Sequence, residues 1–371
     1  MYVRTATVAV IIFAVALIRP CLAEPFLGPA EMLINSARAN GMGGCVTTIV
    51  DEQSALYNPA ALAVFHLDKS VSVAFPSTSE FVEGYSGSRL GSWSMGAGVS
   101  TISLFPGRRG SPHMSIAAAY SQLTLRSNQY SRSHSLGFAI DYFIRLGVGY
   151  SYKKLKVGLP TYFDDGYYDN GRSHDWGFYG DIDLMHISRN PRTFDSTGNK
   201  AGLSFIVAFA YVRGNAGGIE VTGPHSYFRN EHLEYRRSGQ SIAVSKWSRR
   251  GELVSFRLVR ESEEQGSFKP PGELMPRLEN WGGEFGLFGA AFLRLGHMES
   301  WFFENPGTNM IGFGFSFASA YRWLIAPGNA STATGMARLI NRIDIRADFS
   351  NYTGDKFFAS SWHTFNLTMS L

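Results

Sequence analysis

In this chain, apolar residues recur at every second position through stretches where the positions between them are charged, and few folds tolerate that pattern. Ile343, Ile345, Ala347 and Phe349 alternate with Arg342, Asp344, Arg346 and Asp348. Successive side chains of a strand point to opposite faces, so one face here is apolar and the other ionic. A sandwich core could not accept the ionic face, whereas a wet lumen can. Between Ile144 and Tyr152 the same period sets Ile144, Leu146, Val148, Tyr150 and Tyr152 against Arg145, Gly147, Gly149 and Ser151. From Ile311 to Phe317, Ile311, Phe313, Phe315 and Phe317 alternate with Gly312, Gly314 and Ser316, and Leu203 to Tyr211 repeats the apolar series. The period is two, so these are strands.

Composition sharpens the class. Charged residues make up 17% and aromatics 14%, with 40 glycines, and the mean hydropathy is -0.08. No apolar run after the first two dozen residues approaches the roughly 20 residues of a spanning helix. Apolar residues dispersed by alternation are what a barrel with one lipid-facing side requires. Strands are expected near Val71 to Phe75, Ser92 to Leu104, Met114 to Leu125, Ser133 to Tyr142, Ile144 to Lys156, Trp176 to Met185 and Ala201 to Val212. Further ones are expected near Ser241 to Trp247, Glu252 to Val259, Trp281 to Phe288, Ala291 to Met298, Asn309 to Ala320, Arg342 to Ser350 and Trp362 to Leu371. That makes about fourteen, an even number within the range of single-chain bacterial barrels. The apolar series from Leu136 runs on past Tyr142, too long for one strand, and implies a tight turn near Asp141 to Arg145. Longer connections fall at Val157 to Asp175, Arg213 to Gln240, Arg260 to Asn280 and Tyr321 to Ile340. The acidic stretch from Tyr162 to Gly171 does not fit EF-hand spacing and reads as a solvated loop, and no metal site is expected.

The two ends carry export and assembly signals. Arg4, the apolar run Val8 to Ile18 and Cys21-Leu22-Ala23 read as a cleaved signal peptide over residues 1–23; a lipoprotein signal competes for Cys21, against Arg19 and Pro20. Its removal takes two arginines and no acid, so the count of basic against acidic residues falls from 34 against 30 to 32 against 30. The basic residues are scattered in pairs such as Arg108-Arg109 and Arg236-Arg237, which argues against a nucleic-acid partner. Cys45 is then left alone and reads as a small buried residue. At the other end Phe365, Leu367, Met369 and Leu371 alternate with Thr364, Asn366, Thr368 and Ser370. A terminal strand of this kind resembles the one by which the barrel-assembly machinery recognises its substrates, although those commonly close on an aromatic residue.

Residues 24–69 differ in kind from the expected barrel over residues 70–371. Ser36-Ala37-Arg38-Ala39-Asn40-Gly41-Met42-Gly43-Gly44 precedes Asp51-Glu52-Gln53-Ser54-Ala55-Leu56-Tyr57-Asn58-Pro59-Ala60-Ala61-Leu62-Ala63. Physically this is a glycine turn, then a short helix with acids near its start and a break at Pro59. A G-M-G-G element, an acidic short helix and N-P-A just ahead of a barrel resemble the FadL and PorV/PorQ superfamily of outer-membrane proteins. The motif match covers Ser36 to Ala63. The resemblance implies an all-β transmembrane antiparallel barrel of fourteen strands with a short N-terminal helical hatch, in the outer membrane of a Gram-negative-type cell. By it, Gly41, Met42, Gly43, Gly44, Asn58, Pro59 and Ala60 form the hatch motif.

No H-E-x-x-H, P-loop or G-x-S-x-G arrangement is present, so neither an enzyme nor a cofactor is expected. Arg342, Asp344, Arg346 and Asp348 read as a lumen ion-pair ladder rather than an acid/base site. Besides membrane lipid, two partner classes remain open. One is hydrophobic small molecules crossing passively, as in FadL-like transporters; the other is secretion-system or surface-attachment proteins, as with PorV-like components. A scaffold without transport is the third reading.

Overall fold

The computed structural model describes residues 36–67, 70–80, 89–101, 112–125, 129–142, 144–158, 168–185, 202–216, 218–222, 234–248, 251–265, 277–299, 308–324, 343–352 and 361–369. The expected signal peptide, Arg342 and the closing pair Ser370 and Leu371 lie outside them, as does most of the acidic loop after Tyr162.

The strands are β1 (Val71–Glu80), β2 (Arg89–Ser100), β3 (His113–Leu125), β4 (Gln129–Asp141), β5 (Ile144–Gly158), β6 (Tyr168–Asp183), β7 (Gly202–Gly214) and the short β8 (Glu220–Thr222). They continue as β9 (Tyr235–Ser248), β10 (Gly251–Gln265), β11 (Arg277–Leu287), β12 (Ala291–Met298), β13 (Thr308–Ser316), β14 (Ile343–Tyr352) and β15 (Ser361–Met369). Each pairs antiparallel with its neighbour, β1 meets β15 with Val71 opposite Met369, and β7 pairs with β9. With β8 set aside as a short addition to β6, fourteen strands close into a ring without a free edge. Closure satisfies the ladder hydrogen bonds of every strand within the wall, the condition for crossing lipid with strands.

The alternation read from the sequence separates the two faces. Ile116 (64% exposed), Leu136, Val148, Leu295 and Phe313 stand outward, while Ser115, Ala117, Ser135, Gly149 and Arg294 point into the lumen. The lumen face is built largely of serine, glycine and ion pairs, and the outer face of large aliphatic and aromatic residues. The turn expected near Asp141 is there, with β4 ending at Asp141 and β5 beginning at Ile144.

Two expectations are corrected. Strands β5, β6, β9 and β10 run several residues beyond their apolar stretches, so the connections after Val157, Arg213 and Arg260 are shorter than expected. Apolar alternation marks only the band that lipid must cover, while the hydrogen-bonded ladder continues above it; Arg237 of β9, for example, still pairs with Glu263 of β10. The strand expected from Asn309 to Ala320 stops at Ser316, where helix α4 (Phe317–Leu324) begins; the three hatch helices that precede it are described below. Ser316 ends the strand as a helix cap: its Oγ accepts from the Ser319 N–H at 3.3 Å and donates to Asp344 Oδ1, which also takes the Ala318 N–H. α4 lies at the rim where β1 begins and β15 ends.

Phe313 sits at the middle of β13, opposite Leu293 and Phe349 on the outer face. Phe313→Arg should cost about 2–4 kcal/mol of folding stability in a bilayer, whereas Phe313→Leu should cost far less. Folding titrations into lipid vesicles, read by heat-sensitive gel mobility, would measure both. Equal losses would mean that the faces are reversed.

Candidate functional site

The lumen is occupied by the chain's own N-terminal segment. Ser36 caps helix α1 (Ala37–Gly41) by accepting the Ala39 N–H at 3.2 Å. Gly43 and Gly44 then take φ of 69° and 80°, and the Gly44 N–H returns to the Ala39 carbonyl, reversing the chain. A side chain at Gly43 would collide with the carbonyls of Trp281 and His297, so the turn lies directly on the wall at β11 and β12. Met42 is fully buried among Val46, Ile49, Tyr57 and Val259. Inward-pointing Glu261 of β10 accepts the N–H groups of Val46 and Thr47 at 2.8 and 2.7 Å and so fixes the next bend. Burial, then the nearby Glu261 carboxylate, hold the Cys45 thiol well above its usual range, which makes it an inert core residue.

Asp51 and Ser54 cap each other's turn at the start of α2 (Ser54–Tyr57), the Asp51 N–H donating to Ser54 Oγ and Asp51 Oδ1 taking the Gln53 N–H. Asn58 joins α2 to α3 (Pro59–Phe65). Its Oδ1 accepts the Ala60 N–H at 3.0 Å and its Nδ2 donates to the Thr47 carbonyl at 2.9 Å, with no exposure of the residue. Both polar ends of Asn58 are thus spent inside the hatch, and Pro59 occupies the first helical turn, where its missing N–H costs nothing. Ala60, Ala61 and Ala63 present a fully buried face to β3 through β6. A side chain at Gly149 or Gly177 would meet Pro59 or Asn58, so these lumen glycines set how closely α3 approaches. The wall also reaches in with hydroxyls: Ser94 Oγ donates to the Glu52 carbonyl, Ser135 Oγ to Ala55, and Ser115 Oγ to Ala63.

On the opposite side of the lumen an ionic network ties α1 to the barrel. Arg38 grips Glu284 of β11 with two bonds of 2.8 and 3.1 Å and lies 3.8 Å from Asp51. Arg294 of β12, with no exposure, bridges Glu284 at 2.7 Å and Asp348 at 2.7 Å, and Arg346 reaches Asp348 at 3.2 Å. Of the charges expected to form a ladder on one strand, Arg346 and Asp348 belong to this network, whereas Asp344 caps α4. The network runs across strands, and Arg38, Glu284 and Arg294 complete it. Arg294 had a signal in the sequence: it is a charge on the inward face of Phe292, Arg294 and Gly296. Removing one partner of such a buried pair leaves the other uncompensated, at a cost of about 3–5 kcal/mol.

Below α1, towards the rim that carries α4, the lumen holds a cavity of about 330 Å³ between β7, the wall from β9 to β12, β14 and α4. Its walls mix aromatic rings with arginines rather than forming an apolar tunnel.

No protein family and no curated protein matches this chain. The fold and the lumen define a class, a closed antiparallel barrel plugged by its own leading segment. Among solved structures it is similar to the toluene transporter TbuX of Ralstonia pickettii, at 9% identity over 94% of this chain and 99% of that one with a TM-score of 0.39. It is also similar to the monoaromatic hydrocarbon channel CymD, at 11% identity over 90% and 96% with a TM-score of 0.39. The translocator domain of the autotransporter NalP from Neisseria meningitidis follows at 8% identity over 81% and 87% with a TM-score of 0.34. Likeness at this level is a likeness of barrels.

Glu52 gives the hatch a pH dependence. Burial, then the neighbouring Asp51, push its carboxyl up to about 7 from 4.5. A carboxyl that binds its proton more tightly folded than unfolded withdraws stability as pH rises through that window. Stability should therefore fall between pH 4.5 and pH 7 by up to about 3 kcal/mol. Asp51, whose carboxyl burial also raises, shares in this dependence, so Glu52→Gln should reduce it and raise the unfolding temperature at pH 8 while changing little at pH 4. Thermal unfolding of the detergent-folded protein across this range is the measurement, and parallel curves for the two proteins would contradict the assignment.

Proposed function

We propose that the protein is an outer-membrane barrel through which small hydrophobic molecules cross passively, with residues 36–67 as its hatch. The observation that carries this reading is the seating of that segment: it is held to the wall by hydroxyls and glycines on one side and by Arg38 and Glu284 on the other, yet leaves a cavity beneath it. A barrel serving only as a scaffold has no need of open space under a plug. The resemblance of Gly41 to Gly44 and of Asn58-Pro59-Ala60 to the FadL-like hatch motif supports the same reading. In it these residues act through backbone fit: the glycines let the turn lie on β11 and β12, and Asn58 locks α2 to α3. Asn58 is then a structural residue and not a ligand contact.

Outer-membrane residence accords with the apolar outer face and predicts recovery of the protein in the outer-membrane fraction, shifting in gel mobility on boiling. The transport reading is tested by deleting residues 36–63. Because the strands supply their own hydrogen bonds, the deleted barrel should still assemble. It should admit polar solutes in a liposome swelling assay and lose selective uptake of hydrophobic ones. A deleted barrel that assembles, stays impermeable and takes up hydrophobic probes normally would overturn the reading in favour of a protein-binding role.

A further inference from the structure

The cavity below α1 is lined by Arg38, Arg257, Arg322 and Arg346 against only Glu252 and Glu284. Glu284 is already engaged by Arg38 and Arg294 at 3.1 Å or less, and Arg346 is held by Asp348. Arg257, pointing inward from β10, makes neither an ion pair nor a hydrogen bond among the described residues. Neither does Arg322 on α4, whose buried Nε has no acceptor; the buried Trp323 Nε1 beside it also lacks one. Buried donors without acceptors are costly, at about 1–3 kcal/mol each and more when charged. Arg322 and Trp323 both border the same cavity, and the half-buried Arg257 guanidinium faces it from the wall.

The remaining walls are aromatic. Phe288 and Trp323 pack with ring centroids 5.0 Å apart, and Phe292 carries the Arg346 guanidinium 4.4 Å above its ring. Phe288 adopts φ of 56°, a left-handed conformation that bulky residues rarely take, in the tight turn between β11 and β12. With Gly289 at φ of 58° and the Ala290 N–H on the Leu287 carbonyl, this is the two-residue hairpin geometry that needs positive φ at both positions, and it places the Phe288 ring against Trp323. The volume, about 330 Å³, is at the small end of ligand pockets.

We propose that this vestibule binds a small aromatic carboxylate, its ring between Phe288, Phe292 and Trp323 and its carboxylate on the Arg257 and Arg322 guanidiniums. An uncharged hydrocarbon would leave those donors unanswered, whereas a planar anion satisfies them with the bidentate geometry that arginine favours. The assignment rests on the channel reading only for its biological sense: the pocket chemistry stands whether or not the ligand crosses.

The test is binding of naphthalene-2-carboxylate and of the neutral naphthalene-2-carboxamide to the full-length protein folded in non-ionic detergent, followed by tryptophan fluorescence and calorimetry. The carboxylate should bind about tenfold or more tighter than the amide. Arg257→Gln and Arg322→Gln should each erase most of that difference while leaving amide binding unchanged. Trp323→Phe should weaken both compounds alike, because it alters the aromatic wall and not the cationic end. Arg322 lies on a rim helix outside the strand ladder, so Arg322→Gln carries the test if Arg257→Gln does not fold; gel mobility establishes folding. Arg260→Gln, an exposed pair with Glu279 away from the cavity, is the control. Equal affinity for the two compounds, or a preference that survives both arginine substitutions, would overturn the proposal. Carboxylate binding in a protein whose hatch deletion shows no transport defect would sink the channel reading and leave this site standing.

Discussion

The grip of Arg38 on Glu284 is the joint on which the lumen is organised. It places a cation from the hatch on a carboxylate from the wall, and Glu284 in turn orients Arg294, which reaches Asp348 and through it Arg346. Each ion taken alone would be too costly to hold away from water. Shared among five residues on four segments, the charges compensate one another, and the hatch is fixed in position as well as in place. On the other side of the lumen the same segment is held without charge, by backbone carbonyls accepting serine hydroxyls and by an alanine face against glycines. The plug is therefore pinned electrostatically at one wall and fitted sterically at the other.

The fit explains much of the composition. A strand facing only water inside could carry any polar residue, and many open barrels do. Here the inward positions that meet α3 are Ser115, Ser135, Gly137, Gly149 and Gly177, because a helix backbone lies against them. Around the cavity the inward positions are mixed, with Phe292, Arg257 and Trp247 beside Ala243, Ser245 and Ser255. Small inward residues thus mark where α3 lies, whereas α1 is met by the long charged side chains of Glu284 and Arg294.

The barrel was legible in the sequence because lipid enforces a strict period of two, and β4, β5, β12 and β13 carry it in full. What lipid does not touch was harder to read. The upper parts of β6, β9 and β10 are polar and look like loop, and Phe317 continues the alternation of Phe313 and Phe315 although the chain has already turned into a helix capped by Ser316. The hatch motif was visible as glycines and a proline at fixed offsets, since those residues answer to local backbone geometry. Its electrostatic partner was not, because nothing near Arg38 in the sequence points to Glu284. The charged series on β14 was visible as a pattern, but its division between a network and a helix cap depends on which neighbours β13 and β12 supply.

Arg38 and Glu284 stand 246 residues apart along the chain, and the strand that follows the hatch, β1, forms the seam of the ring with the last, β15. Contacts of such separation form late, because so much chain must be ordered before they can. A segment threaded through the middle of a ring cannot easily enter once the ring is complete, and this one is tethered to the seam by only a few residues. The strands can pair without it, so the joining of β1 to β15 is the step after which the segment is enclosed. Connectivity therefore makes the seam and the tether neighbours: the joint that completes the wall is also the one nearest to where the enclosed segment is anchored.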